Sequence, residues 1–152
     1  MNETPDYIQL ANKNLQLIPI RLDPILNPYG FHFHPEHNAI SSGGAFSNGF
    51  YKCGKFQIGI IMRGNTLGLP NYNYEKYHSG HIGLIEQLGH NKDSVLRFDK
   101  KRWKLITVDG QDVLDAFVAD MQNIILPAIS NDLAKYQQAI NNAHNERMKR
   151  MR

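Results

Sequence analysis

Three of the seven histidines lie close together, in the segment His32-Phe33-His34-Pro35-Glu36-His37. Residues two apart on a β-strand face the same way, so His32 and His34 could bind one metal ion. Glu36 and His37 lie just past them and could bind a second ion, and two ions could activate a water molecule held between them. The spacing therefore predicts a candidate metal centre, with zinc or manganese as the ion and hydrolysis as the reaction.

These six residues resemble the H-x-H-x-D-H motif of the metallo-β-lactamase superfamily, which implies a metal-dependent hydrolase. The sequence departs from that motif at Glu36, where the superfamily has aspartate. The four-layer fold of the superfamily also needs a longer chain than the 152 residues present. We therefore keep a hydrolase using His32, His34 and His37 as the alternative, and expect these side chains on the solvated face of a strand without a cofactor.

The remaining reactive side chains form no complete catalytic set. His78 and His81 are three apart, and we expect them at a solvated helix start. Cys53 lies between basic residues but has no identified base, and the serines form no nucleophile motif. The protein is therefore predicted to be non-catalytic.

A polar stretch rich in tyrosine and asparagine follows the strand-rich middle of the chain. Tyrosine offers a large contact area with a hydrogen-bonding tip at a small entropic cost. A long loop of this composition is typical of a binding surface. We therefore predict that a partner protein is bound through Tyr72, Asn73, Tyr74 and Tyr77.

Basic residues also surround the single tryptophan, in a predicted hairpin with strands over residues 95–98 and 103–108. The segment predicted to bind nucleic acid consists of Arg97, Lys100, Lys101, Arg102, Trp103 and Lys104. Cations interleaved with an aromatic ring can contact phosphates and stack on a base. Nearby acidic residues could neutralise part of this charge, namely Asp109, Asp112, Asp115 and Asp120. Nucleic-acid binding therefore stays a second alternative.

Composition sets the class of protein. The chain is 41% hydrophobic and 20% charged with a net charge of +3, as in a globular domain. One cysteine excludes an internal disulfide and a cysteine-rich zinc module. The first six residues lack the basic and apolar regions of a secretory signal, and the apolar runs are too short to span a membrane. We expect a cytoplasmic protein without a membrane partner.

Helical periodicity at both ends brackets a middle of short strands, which predicts one α+β domain over residues 1–152 with an antiparallel meander. The basic tail should fray from about residue 144. A leading helix ending in Pro28-Tyr29-Gly30-Phe31, the meander and a closing amphipathic helix resemble small bacterial proteins of the immunity type, which implies binding of a toxin-like protein partner. An exposed apolar stripe over residues 113–125 would also favour a homodimer.

Overall fold

The computed structural model describes residues 6–41, 44–63 and 66–151, with side chains described outside residues 6–8, 37–41 and 44–45. The fold is α+β with helices at both ends and antiparallel strands between them, as the sequence predicted. The chain forms two compact units, residues 1–70 and residues 71–152. A single domain over residues 1–152 stays a prediction.

The first unit packs one long helix with an antiparallel sheet. Its elements are α1 (Asp6–Leu26), a 3-10 turn (Asn27–Tyr29), β1 (His32–Ser41), β2 (Gly44–Cys53), β3 (Phe56–Arg63) and β4 (Thr66–Leu67). Strands β1, β2 and β3 form an antiparallel meander, and β4 pairs with β3. The short connections between successive strands produce this order, because antiparallel neighbours need only a tight turn.

Helix α1 is longer than the sequence predicted. The spacing of the apolar residues from Ile8 to Ile18 predicts a helix that ends near Leu17, and Asp23-Pro24 predicts a short second helix at Ile25 and Leu26. In the structure one helix continues through Pro19 and Pro24. Buried apolar side chains keep the helical spacing along its whole length, at Ala11, Leu15, Ile18, Leu22 and Leu26. Burial of this stripe outweighs the backbone cost of the prolines. The predicted cap at Thr4 and Pro5 lies outside the described residues.

The second unit consists of two hairpins and a set of helices. Its elements are β5 (Asn71–Tyr74), β6 (Tyr77–Gly80), α2 (His81–Gln87), β7 (Leu96–Asp99), β8 (Lys104–Thr107), α3 (Val113–Asp120), a π-helical turn (Met121–Ile125), α4 (Leu126–Asn131) and α5 (Leu133–Arg150). Strands β5 and β6 form one antiparallel hairpin, and β7 and β8 form the other. The prediction of a polar loop up to Tyr77 is therefore wrong for the β5–β6 segment.

The helices carry the apolar core of the second unit. Buried residues of the predicted stripe include Phe117, Met121, Ile124 and Ile125, so the fold itself covers much of this face. A homodimer stays a prediction. The sequence predicted that the apolar runs are too short to span a membrane, but residues 113–131 form a helical stretch long and apolar enough to do so by length and composition alone. Within this stretch, 44% of the most apolar 18-residue window is buried inside the fold.

Helix α5 continues to Arg150, past the point near residue 144 where the sequence predicted a frayed tail. Asp132 caps its first turn by accepting a hydrogen bond from the Lys135 amide. Basic side chains occupy its last turn, where they interact favourably with the helix dipole.

Candidate functional site

The histidine segment lies on strand β1. His32 and His34 are both exposed, and the ring of His34 stacks on Phe50 with centroids 5.3 Å apart. A β-bulge between Pro35 and His37 changes the strand register at the exposed Glu36, so the alternation of faces does not continue through the motif. The side chain of His37 lies outside the described residues.

The described part of the chain contains no group of three or more His, Cys, Asp or Glu side chains placed to hold a metal ion. The structure therefore brings His32 and His34 to one exposed strand face and adds no described third ligand to them. The exposure that the sequence predicted for these two residues is confirmed.

The four residues predicted to bind a protein partner lie on the β5–β6 hairpin, and they differ in how far their side chains are buried. Tyr72 is fully buried, so its side chain is not available as a surface contact. Asn73, Tyr74 and Tyr77 are half-buried, around a turn in which Glu75 has a φ of +53°. The alternation of a strand places Tyr72 on the buried face, and this strand was not predicted.

A buried polar network that the sequence did not predict begins at Tyr72. The Tyr72 hydroxyl lies 2.7 Å from Nδ1 of His81, and Nε2 of His81 lies 2.8 Å from Oδ2 of Asp120. Ser94 donates its hydroxyl proton to the same oxygen over 2.5 Å and accepts a hydrogen bond from the Leu96 amide at 3.1 Å. All of these side chains are buried, so the network joins β5, α2, the start of β7 and the end of α3.

Hydrogen bonds engage both ring nitrogens of His81. Nδ1 is bonded to the Tyr72 hydroxyl and Nε2 to the Asp120 carboxylate. Burial, followed by the nearby Tyr136 and Asp120, raises the pKa of Tyr72 well above its usual value. Both ring nitrogens are occupied, so His81 is a core residue of the hairpin and helices and has no nitrogen left for a substrate.

This arrangement corrects the expectation that His81 lies at a solvated helix start. One sequence signal could have located the network. Asp120 falls within the apolar stripe of the closing helix, three residues after Phe117 and four before Ile124. A carboxylate at such a position is buried with the stripe and requires a partner. No comparable signal in the sequence identifies His81 as that partner.

A second histidine cluster joins β6 to α5. Nδ1 of His144 accepts a hydrogen bond from the His78 amide at 3.3 Å, and the Arg147 guanidinium lies 3.4 Å from Nδ1 of His78. Burial, followed by His144 and Arg147, lowers the pKa of His78. The ring of Tyr77 meets His144 edge-on with centroids 5.3 Å apart. This cluster holds the hairpin against the last helix.

The turn between β7 and β8 presents the exposed tryptophan. Trp103 is 75% exposed and has a φ of +56°, which is unusual for a bulky side chain. Its ring and that of Phe98 lie at 80° to each other with centroids 5.1 Å apart. The surrounding exposed cations are Lys100, Lys101, Arg102 and Lys104.

Hydrogen bonds from backbone amides to the Asp99 side chain stabilise this turn. Oδ1 of Asp99 accepts from the amides of Lys101 at 3.0 Å and Arg102 at 3.2 Å. Arg97, the first cation of the segment predicted to bind nucleic acid, is exposed, and its guanidinium donates to the carbonyl oxygens of Ser94 and Leu96, each at 2.7 Å. These bonds connect its side chain to the start of β7. We call Lys100, Lys101, Arg102, Trp103 and Lys104 the Trp103 turn.

Neither a family model, nor a curated protein, nor a solved structure matches this chain. The function must therefore be inferred from the geometry of these sites alone. Internal hydrogen bonds engage both ring nitrogens of His81 in the buried network, whereas the Trp103 turn places an aromatic ring and four cations in solvent.

Proposed function

We propose that this chain is a non-catalytic binding protein that engages the acidic surface of a partner protein through the Trp103 turn. The observation that supports the proposal is the 75% exposure of Trp103 at a φ of +56°. Holding a bulky residue in this conformation costs about 1 kcal/mol or more, and such strain is concentrated at functional sites. Tryptophan and arginine are also the residues most enriched among those that dominate binding energy at interfaces.

The charge around the turn favours a compact acidic surface as the target. Four exposed cations lie next to the ring, whereas Asp109, Asp112 and Asp115 follow β8 closely and are exposed. An extended phosphate backbone needs a continuous positive track, and these acids would interrupt it. A localised acidic patch on a protein has no such requirement, and complementary charge would speed the encounter.

This proposal moves the contact surface away from the segment that the sequence favoured. Tyr72 is buried, and Tyr74 and Tyr77 are only half-exposed. The immunity-type resemblance is compatible with a basic turn that covers an acidic patch on a toxin-like partner. The cytoplasm, as a reducing compartment, suits a chain with one unpaired cysteine.

Site-specific photo-crosslinking tests the proposal. A photoreactive amino acid with an aromatic ring replaces Trp103 in one variant, which keeps a ring at the turn, and replaces Ile20, a 68% exposed residue of α1, in a matched control. We expect one dominant protein adduct in the producing cell from position 103 and none from position 20. Neutralising Lys100, Lys101, Arg102 and Lys104 together should remove the adduct, whereas Lys13→Ala on α1 should leave it unchanged.

Two results would contradict the proposal. Equal adducts from positions 103 and 20 would show that the turn has no special role. An adduct at position 103 that disappears on nuclease treatment would favour the second candidate, nucleic-acid binding, which the combination of an open aromatic ring and four cations also supports. Affinity for an oligonucleotide should then fall steeply with salt.

A further inference from the structure

A cavity of about 440 Å³ lies in the second unit beside the buried network. Its polar lining includes Asp93, Gln111, Asp120 and Asn123, and its apolar lining includes Val95 and Ile124. Cavities of about 300–1,000 Å³ with apolar walls and a few polar groups are typical of small-molecule sites. The cavity is separate from the exposed ring of Trp103, which is not among its lining residues.

The buried carboxylate of Asp120 supplies the cavity with a charge. Its side chain is only 5% exposed, and both hydrogen bonds that described side chains donate to it end on Oδ2. Asp120 also lines the cavity, and neither of these two hydrogen bonds ends on its Oδ1. A carboxylate oxygen is a strong hydrogen-bond acceptor for a charged donor.

The cavity lining has two carboxylates and no lysine or arginine. His81 and Ser94 are the described side chains bonded to Asp120, and within the described part of the chain no lysine or arginine pairs with it. A buried carboxylate is costly unless an opposite charge approaches it, and the open side of Asp120 is the cavity.

The backbone next to Asp120 also departs from regular geometry. The chain forms a π-helical turn over Met121–Ile125, directly after Asp120, and this turn contributes Asn123 and Ile124 to the cavity wall. Such turns occur frequently at functional sites, because the extra residue re-aims the side chains that follow it.

We propose that this cavity binds a small organic cation, with a primary ammonium group on Oδ1 of Asp120 and a short alkyl body against Val95 and Ile124. The amide of Asn123 and the carboxylate of Asp93 are additional acceptors for the remaining ammonium protons. Asp93 lies at the exposed edge and is paired with His90 at 2.7 Å, so Asp120 provides the principal charge. The site is independent of partner binding by the Trp103 turn.

Titration of isotopically labelled protein with n-butylammonium chloride, followed by amide chemical shifts, tests this site. Neutral n-butanol and anionic butyrate have a similar alkyl body and serve as matched ligands. We expect saturable shifts confined to residues 90–96 and 111–124 with n-butylammonium, and at least tenfold weaker binding of the other two compounds.

Two variants separate ligand binding from folding. Asp120→Asn keeps the shape and an acceptor for His81 but removes the charge, and should weaken n-butylammonium binding at least tenfold. Ala119 lines the cavity and makes none of the network's hydrogen bonds, so Ala119→Met should fill the cavity and weaken binding at least tenfold as well. This variant tests the site if Asp120→Asn does not fold. The control is Asp115→Asn, at an exposed position of α3, and it should leave binding unchanged.

Three results would overturn the proposal. They are equal binding of butyrate or n-butanol, no saturable binding of n-butylammonium, and undiminished binding by Ala119→Met.

Discussion

Nε2 of His81 lies 2.8 Å from Oδ2 of Asp120, and both side chains are buried. The pair joins the first residue of α2 to the last residue of α3, which are 39 positions apart in the chain. Tyr72 and Ser94 complete the hydrogen bonds on either side of the pair. The core of the second unit therefore depends on polar groups that are satisfied only when all of these elements are in place.

Removing the acid of this pair should destabilise the fold strongly. We expect Asp120→Ala to lower the free energy of unfolding by about 3 kcal/mol, because His81 and Ser94 then keep buried donors without an acceptor. Asp120→Asn should cost only about 1 kcal/mol, since its amide oxygen still accepts from His81. Urea unfolding followed by circular dichroism measures both. Equal losses for the two variants would mean that the hydrogen bonds do not determine the effect.

Buried tyrosines should make the fold sensitive to alkaline pH. Burial raises the pKa of Tyr51, Tyr72 and Tyr136 above the ordinary value for a phenol, and the Asp23 carboxylate that accepts from Tyr51 at 2.8 Å adds to the effect on Tyr51. The folded chain keeps these protons while the unfolded chain loses them near pH ~10. The stability is therefore fully present below pH ~10 and decreases as the pH rises above it.

Absorbance at the phenolate band checks this pH dependence. Three of the seven tyrosines should remain protonated in the folded protein at a pH of about 11, and all should ionise in concentrated guanidinium chloride. Tyr136→Phe should reduce the number of protected phenols by one. Complete ionisation of the folded protein near pH ~10 would contradict the burial of these side chains.

Two glycines should respond to alanine in opposite directions. A Cβ atom at Gly49 would lie 2.6 Å from Cζ of Phe33 and 2.8 Å from the His34 carbonyl oxygen, so the β1–β2 pair would have to move. We expect Gly49→Ala to lower the free energy of unfolding by about 1–3 kcal/mol.

Gly83 in α2 is the matched case. A Cβ atom there has its nearest neighbour at 3.5 Å, the Ser79 hydroxyl, which is an ordinary contact. Gly83→Ala should raise the free energy of unfolding by about 0.5–1 kcal/mol, because alanine restricts the unfolded chain and favours the helix. Thermal unfolding of the two variants in parallel tests the predicted loss of stability in Gly49→Ala and the predicted gain in Gly83→Ala. A loss of stability in Gly83→Ala would contradict the helix packing described above.

Replacing Trp103 should affect binding much more than folding. Asparagine adopts a positive φ more readily than tryptophan, which offsets the lost edge contact with Phe98. We expect Trp103→Asn to change the free energy of unfolding by less than about 1 kcal/mol while the partner interaction is lost. Chemical unfolding measures the stability, and a pull-down of the partner that the crosslinking experiment identifies measures the binding. A large loss of stability would make Trp103 a structural residue.

The α+β class could be predicted from sequence because it depends on local periodicity. Apolar spacing predicted the first helix and the closing amphipathic helix, and turn residues predicted the β1–β2–β3 meander and the β7–β8 hairpin. The run of cations around Trp103 is likewise visible in the sequence, as is the exposed histidine pair on β1. These features involve residues that are close together in the chain.

Only the tertiary structure decided which polar residues are buried. Tyr72 lies in a segment with the composition of a surface loop, and His81 lies where a solvated helix start was expected, yet both pack against Asp120 from distant parts of the chain. Helix α1 likewise continues past Pro19 because its buried stripe outweighs the local cost. Local composition determines which side chains are available, whereas long-range packing determines which of them lose water and must find partners.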